Sequence, residues 1–331
     1  MKIDIFAHIV PVKYKEALKS KAPSGAYQLD VIDVVTALSD LDMRFRVMDK
    51  HDDYLQVLTI GSPPVENIVG PKEAIELAKI ANDEMAQLVR KYPDRFASAV
   101  ACLPMNDVDA ALKEADRTIT ELAFCGVQIF SDINGKPIDS PEFLCLYEKM
   151  ADYDLPIWLH PRRSRTVPDY RDEAGSKYNI FSIFGWPYET SAAMTRLVFS
   201  GVLDKNPHLK VITHHCGGMI PYFEKRIEVL SDFDLRMSCK RDHYLTKRVV
   251  DYYRMFYNDT AVYGSTPALM CGYAFFGAEH ILFGTDFPYD NQGGFRYIRE
   301  TIHSVEEMSI SDSDKRKIFE ENAKELLRLP I

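Results

Sequence analysis

Residues 55–60 read LQVLTI, residues 71–93 read PKEAIELAKIANDEMAQLVRKYP, and residues 96–104 read FASAVACLP. The first and third are short apolar runs of strand length. The second carries apolar residues at i, i+3, i+4 and i+7, the one-sided stripe of a helix packed on a core. A strand, a long amphipathic helix and another strand make a crossover unit, and such units build parallel sheets.

The same rhythm runs outward in both directions. Further apolar runs are KIDIFAH (2–8), GVQIF (126–130), PIWLH (156–160), LKVITHH (209–215), MFYND (255–259) and ILFGTD (281–286). Helical patterns fall between them, as in DVDAALKEADRTITELA (107–123), SPEFLCLYEKMADYD (140–154) and ETSAAMTRLVFSGVLDKNP (189–207). Strand and helix alternate eight times, which suits a closed (β/α)8 TIM barrel better than an open doubly wound sheet. No Gly-rich dinucleotide fingerprint follows the first strand, and no Pro/Gly/Ser-rich linker or low-complexity tract divides the chain. The expectation is one barrel domain spanning residues 1–331.

Bulk composition narrows the function classes. With 331 residues and 46% hydrophobic content, the chain can bury a large core. Its formal net charge of −9 argues against nucleic acid and anionic membranes as partners. Six cysteines, Cys102, Cys125, Cys145, Cys216, Cys239 and Cys271, are scattered without CxxC pairs, which speaks for a reducing compartment. Neither a signal peptide nor an apolar run of membrane-spanning length is visible, so the expected location is the cytoplasm.

In a barrel, chemistry gathers where the strands end. Here the first run ends in His8, the fifth in His160, the sixth in His214 and His215, and the eighth in Asp286. Any one of these has a plainer explanation: a lone histidine after a strand is commonly a hydrogen-bonded core residue, and the aspartate can cap a turn. Together they form the imidazole and carboxylate set of a hydrolytic or Lewis-acid divalent site, with zinc first and manganese second. His214 and His215 are adjacent, so strand alternation sends only one of them into the lumen. Phe6 and His8 lean to the same side, so the phenyl ring is expected to face the lumen beside His8.

The stretches MKIDIFAHIVP (1–11), WLHP (158–161), GWPYETSAAMTRLVFSGV (185–202), THHCGGMIPYFEKRI (213–227), ILFGTDFPY (281–289) and ENAKELL (321–327) occur in order along the chain. Over residues 1 to about 328 the chain resembles the amidohydrolase-related decarboxylases, the family of amino-carboxymuconate-semialdehyde, γ-resorcylate and 5-carboxyvanillate decarboxylases. The resemblance implies a divalent metal on His8, His160 and Asp286, and makes His215 the catalytic histidine with Asp286 sharing the acid/base work. It implies that Arg226 reaches the neighbouring subunit's site in a homodimer and holds a substrate carboxylate. His214 is then left pointing into the barrel wall. One departure stands out: relatives place His or Glu where this chain has Phe6, and phenyl donates nothing to a cation.

The segment PRRSRTVPDYRDEAGSKYNIFSIFGWPYET (161–190) is too long for an ordinary βα loop and is rich in basic and aromatic residues. It reads either as a lid over an anionic aromatic substrate, with Arg162, Arg163 and Trp186 in contact, or as a surface docked on a partner subunit. Glu189 either orients a metal-binding histidine or favours a helix N-terminus. Arg44 and Arg46 read as solvated helix residues. The expected activity is non-oxidative decarboxylation of a small hydroxylated aromatic or unsaturated carboxylic acid. Hydrolysis or hydration of a lactone, amide or unsaturated acid at the same residues is the alternative, and a metal-free binding protein is a further one.

Overall fold

The structure is a computed structural model that describes residues 1–22, 27–236 and 245–331. Cys239 lies outside the described residues. Ten strands occur along them: β1 (Lys2–Ile9), β2 (Tyr54–Ile60), β3 (Phe96–Ala99), β4 (Ala101–Cys102), β5 (Val127–Phe130), β6 (Asp132–Ile133), β7 (Lys136–Pro137), β8 (Ile157–His160), β9 (Val211–Thr213) and β10 (Tyr257–Asn258). They form one sheet in the order β1-β2-β3, a second in the order β10-β9-β8-β5-β4, and the small antiparallel pair β6-β7. Every pairing within the two larger sheets is parallel.

The stretch at 96–102 is one run shared between the two sheets. Val100 N–H donates to Leu58 O at 2.9 Å, and the next residue, Ala101, donates to Gly126 O at 2.9 Å. The run at 281–286 was expected to be an eighth strand and makes one isolated parallel pairing, Asn258 with Ile281, with a second just after it, Ala7 with Phe287. Backbone bonds nevertheless tie it on both sides: Leu282 N–H to Asn258 O at 2.8 Å, and Ile5 and His8 N–H to Phe283 and Phe287 O at 3.0 and 2.8 Å. Side chains replace the rest of the ladder. The buried Asp4 carboxylate takes the Thr285 N–H at 3.0 Å, and the Thr260 hydroxyl takes the Gly284 N–H at 3.0 Å.

The helix Pro71–Lys91 shows why the periodicity reads correctly. Its buried residues Ala74, Leu77, Ala78, Ala81, Met85 and Ala86 form one stripe, proline stands in the first turn where its missing N–H costs nothing, and the helix stops before Pro93. Two apolar clusters result. One lies between sheets and helices. The other, with Ile3, Ile5, Phe6, Val57, Val100, Trp158 and Ile212, takes residues from strands of both sheets and fills the space between them. The Trp158 indole donates to Ile5 O at 3.0 Å, joining β8 to β1 through that interior.

Residues 161–179 carry no strand or helix; the short helix Ile180–Ile183 and the longer helix Gly185–Phe199 follow. Among the described residues, no helix is long and apolar enough to cross a membrane.

Candidate functional site

Four side chains converge just beyond the apolar interior. His8 stands near the end of β1, His160 ends β8, His214 follows β9, and Asp286 belongs to the bonded run after Ile281. All are at most 5% exposed. One ligand atom from each of His8, His160 and His214 lies within 4.8 Å of the others, and the same holds for His214, His215 and Asp286.

Each of the three histidines has its Nδ1 engaged. His8 Nδ1 meets the Thr59 hydroxyl at 2.9 Å, His160 Nδ1 meets Pro161 O at 2.7 Å, and His214 Nδ1 meets the Asp259 carboxylate. The Nε2 atoms of His8 and His214 are buried and have no hydrogen-bond partner. Asp286 Oδ1 lies 3.2 Å from one and 3.3 Å from the other. Histidines anchored at Nδ1 and bare at Nε2 are the arrangement of metal ligands, and the donor set fits a divalent cation.

Two expectations need correcting here. His214 does not point into the barrel wall. Alternation holds only inside a strand, and β9 ends at Thr213. His215 and Cys216 adopt positive φ of 58° and 52°, and Gly217 and Gly218 follow at 74° and 61°. The chain therefore leaves the strand as a left-handed turn, and both histidines reach the site. Arg44 is not solvated either: it is fully buried, donating to Gln56 Oε1 at 2.6 Å and to the His8 carbonyl, with its guanidinium 4.6 Å from the centre of the Phe287 ring.

Phe6 does face the interior beside His8. Its ring centre lies 6.1 Å from that of His8 and stacks on His214 at 4.1 Å with 19° between planes. Beside this group, the His215 Nε2 meets the Tyr263 hydroxyl at 3.1 Å, and that hydroxyl donates to Asp286 Oδ2 at 3.0 Å. A hydroxyl has one proton, so His215 donates from Nε2 and its buried Nδ1, which has no partner, keeps its lone pair.

The charges follow from burial and neighbours. Burial works against a charged Asp286, but His214 and His8 outweigh it and hold the carboxyl well below the usual carboxylate range. Burial, with His214 alongside, pushes His215 down to about 3, so it is neutral at physiological pH. Burial and the neighbouring His214 and His8 also depress His160. Burial would lower His214 too, yet Asp259 and Asp286 overcome it and hold its pKa at about 10.

These groups floor a cavity of about 1170 Å³ whose walls include Trp186, Tyr263, Tyr289 and Tyr297, with Arg162, Arg163 and Arg165 from the segment after β8. Trp186 stacks over His215 with ring centres 6.4 Å apart. Arg162 is paired to Asp132 at 2.7 Å. Glu189 pairs with Arg163 at 3.0 Å and so orients no histidine. Arg226 is exposed on the helix Glu224–Arg236 and takes no part in lining the cavity. Tyr263 and Asp259 escaped the sequence reading. Nothing around AVYG announces Tyr263, whereas Asp259 ends the seventh run in MFYND, a strand end like the others.

Comparison with known proteins identifies the family of the chain. Residues 3–329 match the family described as amidohydrolase. The chain is 33% identical over 299 residues to the γ-resorcylate decarboxylase of Polaromonas sp. strain JS666, covering 87% of each chain. Its backbone superposes on a 2,6-dihydroxybenzoate decarboxylase complexed with 2,6-dihydroxybenzoate with a TM-score of 0.82, at 28% identity over 99% of this chain and 98% of that one. A dihydroxybenzoic acid decarboxylase of Polaromonas sp. JS666, with bound manganese and the inhibitor 2-nitroresorcinol, gives 0.79 at 28% identity over 99% and 96%.

Proposed function

The chain belongs to the amidohydrolase family, and from that premise we propose that it is a metal-dependent carboxy-lyase acting on a small hydroxylated aromatic carboxylic acid. The observation that carries this reading is the bare His8 and His214 Nε2 atoms on either side of Asp286, under an aromatic cavity with arginines at its rim. The decarboxylases it resembles act on such acids, and one holds manganese.

His8, His160 and Asp286 would hold the divalent cation, zinc or manganese. Bound there, it would supply a Lewis acid for the substrate's carboxylate and neighbouring hydroxyl. The chain's own residues account for the remaining needs. Trp186 and the cavity tyrosines enclose the ring and exclude water. Arg162 and Arg163 line the cavity and would turn toward the substrate carboxylate from their pairs with Asp132 and Glu189. His215 has a free Nδ1 to accept the proton of the substrate hydroxyl. It then returns that proton to the ring carbon bearing the carboxylate. The carbon–carbon bond breaks, CO2 leaves without its bonding electrons, and the phenolate left behind is protonated by solvent. Tyr263 and Asp286 hold the His215 ring and its tautomer throughout.

The wider arrangement is part of the same reading. The bonds on both sides of residues 281–287 support a closed (β/α)8 barrel in one domain, and the arginines at the cavity support a lid role for residues 161–190. Arg226 lies with the exposed Tyr222, Val229, Leu230 and Phe233, which suits an apolar dimer contact carrying this arginine to the partner's cavity. The free thiols of Cys102, Cys125, Cys145, Cys216 and Cys271 suit the cytoplasm.

The test is product analysis on manganese- and zinc-loaded protein with hydroxybenzoates and, in parallel, lactones and amides. Stoichiometric CO2 and phenol from a hydroxybenzoate support the proposal. Ring-opened acid, with no CO2 from any carboxylate, replaces it with hydrolysis.

A further inference from the structure

β1 brings one donor to the centre, because Phe6 has none to give. The site is nevertheless not short of donors. We propose that His214 is itself a ligand of the divalent cation, filling the coordination position that a donor at residue 6 would take, with the Phe6 ring as the wall that holds its imidazole. This rests on the metal-dependent reading above.

Three independent observations converge on His214. The first is an orphan: its Nε2 is buried without a hydrogen-bond partner. Asp286 Oδ1 is only 3.3 Å away, and the His8 Nε2 lies 3.2 Å from the same oxygen, yet neither approach is aligned as a hydrogen bond. Nitrogens and oxygen at that spacing could each donate to one cation between them. The edge of a tetrahedron with metal–ligand bonds of about 2.0 Å is about 3.3 Å.

The second is the other side of the ring. Asp259 Oδ1 is occupied by the N–H groups of Cys216 and Ala261, both at 3.0 Å. Its Oδ2 is thereby aimed at His214 Nδ1. That carboxylate keeps the proton on Nδ1, so a bound cation would take the place of the proton on Nε2, the carboxylate–histidine pairing that tunes metal ligands. A histidine serving only to pack the wall needs no such anchoring.

The third is the stack. Phe6 lies nearly parallel to His214, with ring centres 4.1 Å apart, and is completely buried. A side chain with a donor at residue 6 would meet the same region from below. The phenyl ring fills that volume and fixes the plane of the imidazole instead.

The test is metal affinity, read independently of turnover. Apo-protein is titrated with Zn2+ and Mn2+ against a chromophoric chelator, for wild type, His8→Ala, His214→Ala and the double variant Phe6→His/His214→Ala. Loss of His214 is expected to weaken binding by about 100-fold or more, as loss of His8 does, and the double variant should recover at least about tenfold of it. Wild-type affinity in His214→Ala, with His8→Ala impaired, overturns the assignment and leaves the metal centre standing. A double variant no tighter than His214→Ala overturns the shared position. No ion bound by wild type removes the centre, and both readings fall together. Should His214→Ala fail to fold, X-ray absorption on zinc-loaded wild type decides: three imidazoles per ion support the proposal, and two overturn it.

Discussion

Arg44→Met tests whether the position of the metal-site histidine depends on a buried cation. In the wild-type chain the guanidinium spans two acceptors on fully buried residues: Gln56 Oε1 at 2.6 Å and the backbone carbonyl of His8. Burial lowers its pKa to about 10, so it is still charged at neutral pH. Methionine keeps the length and apolar contact with Phe287 but removes the guanidinium from Gln56 Oε1 and from the His8 carbonyl. An orphaned buried acceptor costs about 1–3 kcal/mol, and relief of the buried charge offsets part of the total. The net expectation is a loss of about 3 kcal/mol, measured by urea unfolding at pH 7.5 in excess chelator so that metal does not contribute. Because the freed carbonyl belongs to His8, metal affinity should fall along with stability. Arg44→Lys, reaching one acceptor, should lie between. An Arg44→Met protein within about 1 kcal/mol of wild type, with unaltered metal affinity, would refute the idea that this arginine holds β1 in place.

His215→Ala should lower turnover by at least about 100-fold while metal content stays at the wild-type level; activity near normal takes His215 out of the mechanism. Asp286→Asn should lose turnover and metal together, which elemental analysis of the purified variant reports. If Arg226 serves the partner's cavity, mixing inactive Arg226→Ala with inactive His215→Ala should recover about a quarter of wild-type activity through hybrid dimers, and no recovery after demonstrated subunit exchange keeps Arg226 out of the partner's site. Glu66 is buried with an unpartnered Oε1, and burial raises its pKa from 4.5 to about 7. Between those values the folded protein holds a proton that the unfolded chain has lost, so stability declines as pH rises through the window. Glu66→Gln should therefore gain on wild type between pH 5 and pH 8, by up to about 3 kcal/mol, and a pH-independent difference in urea unfolding would contradict this.

The fold was legible wherever hydrophobic period and backbone bonding agree. The helix Pro71–Lys91 and the parallel strands around it have both, and the sequence reading placed them within a few residues. The run ILFGTD reads as a strand but is held partly by Asp4 and Thr260 side chains, and no pattern of apolar residues distinguishes ladder bonds from side-chain substitutes. Arg44 failed for a related reason. Its helix is short, and a charged residue facing the core looks like any other surface cation until the carbonyl it caps is known.

The site was legible in its residue types and misread at one position, and the misreading is instructive. Alternation is a property of extended backbone, so it says nothing about a residue pair that straddles a strand end. THHCGG contains its own warning: two glycines directly after the histidines call for backbone that β structure does not use, and the left-handed turn begins at His215 itself. With the turn placed there, His214 is the last inward residue of the strand path and His215 is swung to its flank, beside Trp186 and Tyr263. The two histidines can then divide the work that alternation assigned to one. His214 is held on one face by Phe6 and at Nδ1 by Asp259. His215 lines the cavity and its Nδ1 has no partner, which leaves a basic nitrogen for moving a proton. The phenylalanine that looked like a lost ligand at residue 6 is thus the residue that braces, from across the interior, the histidine after β9 that replaces it.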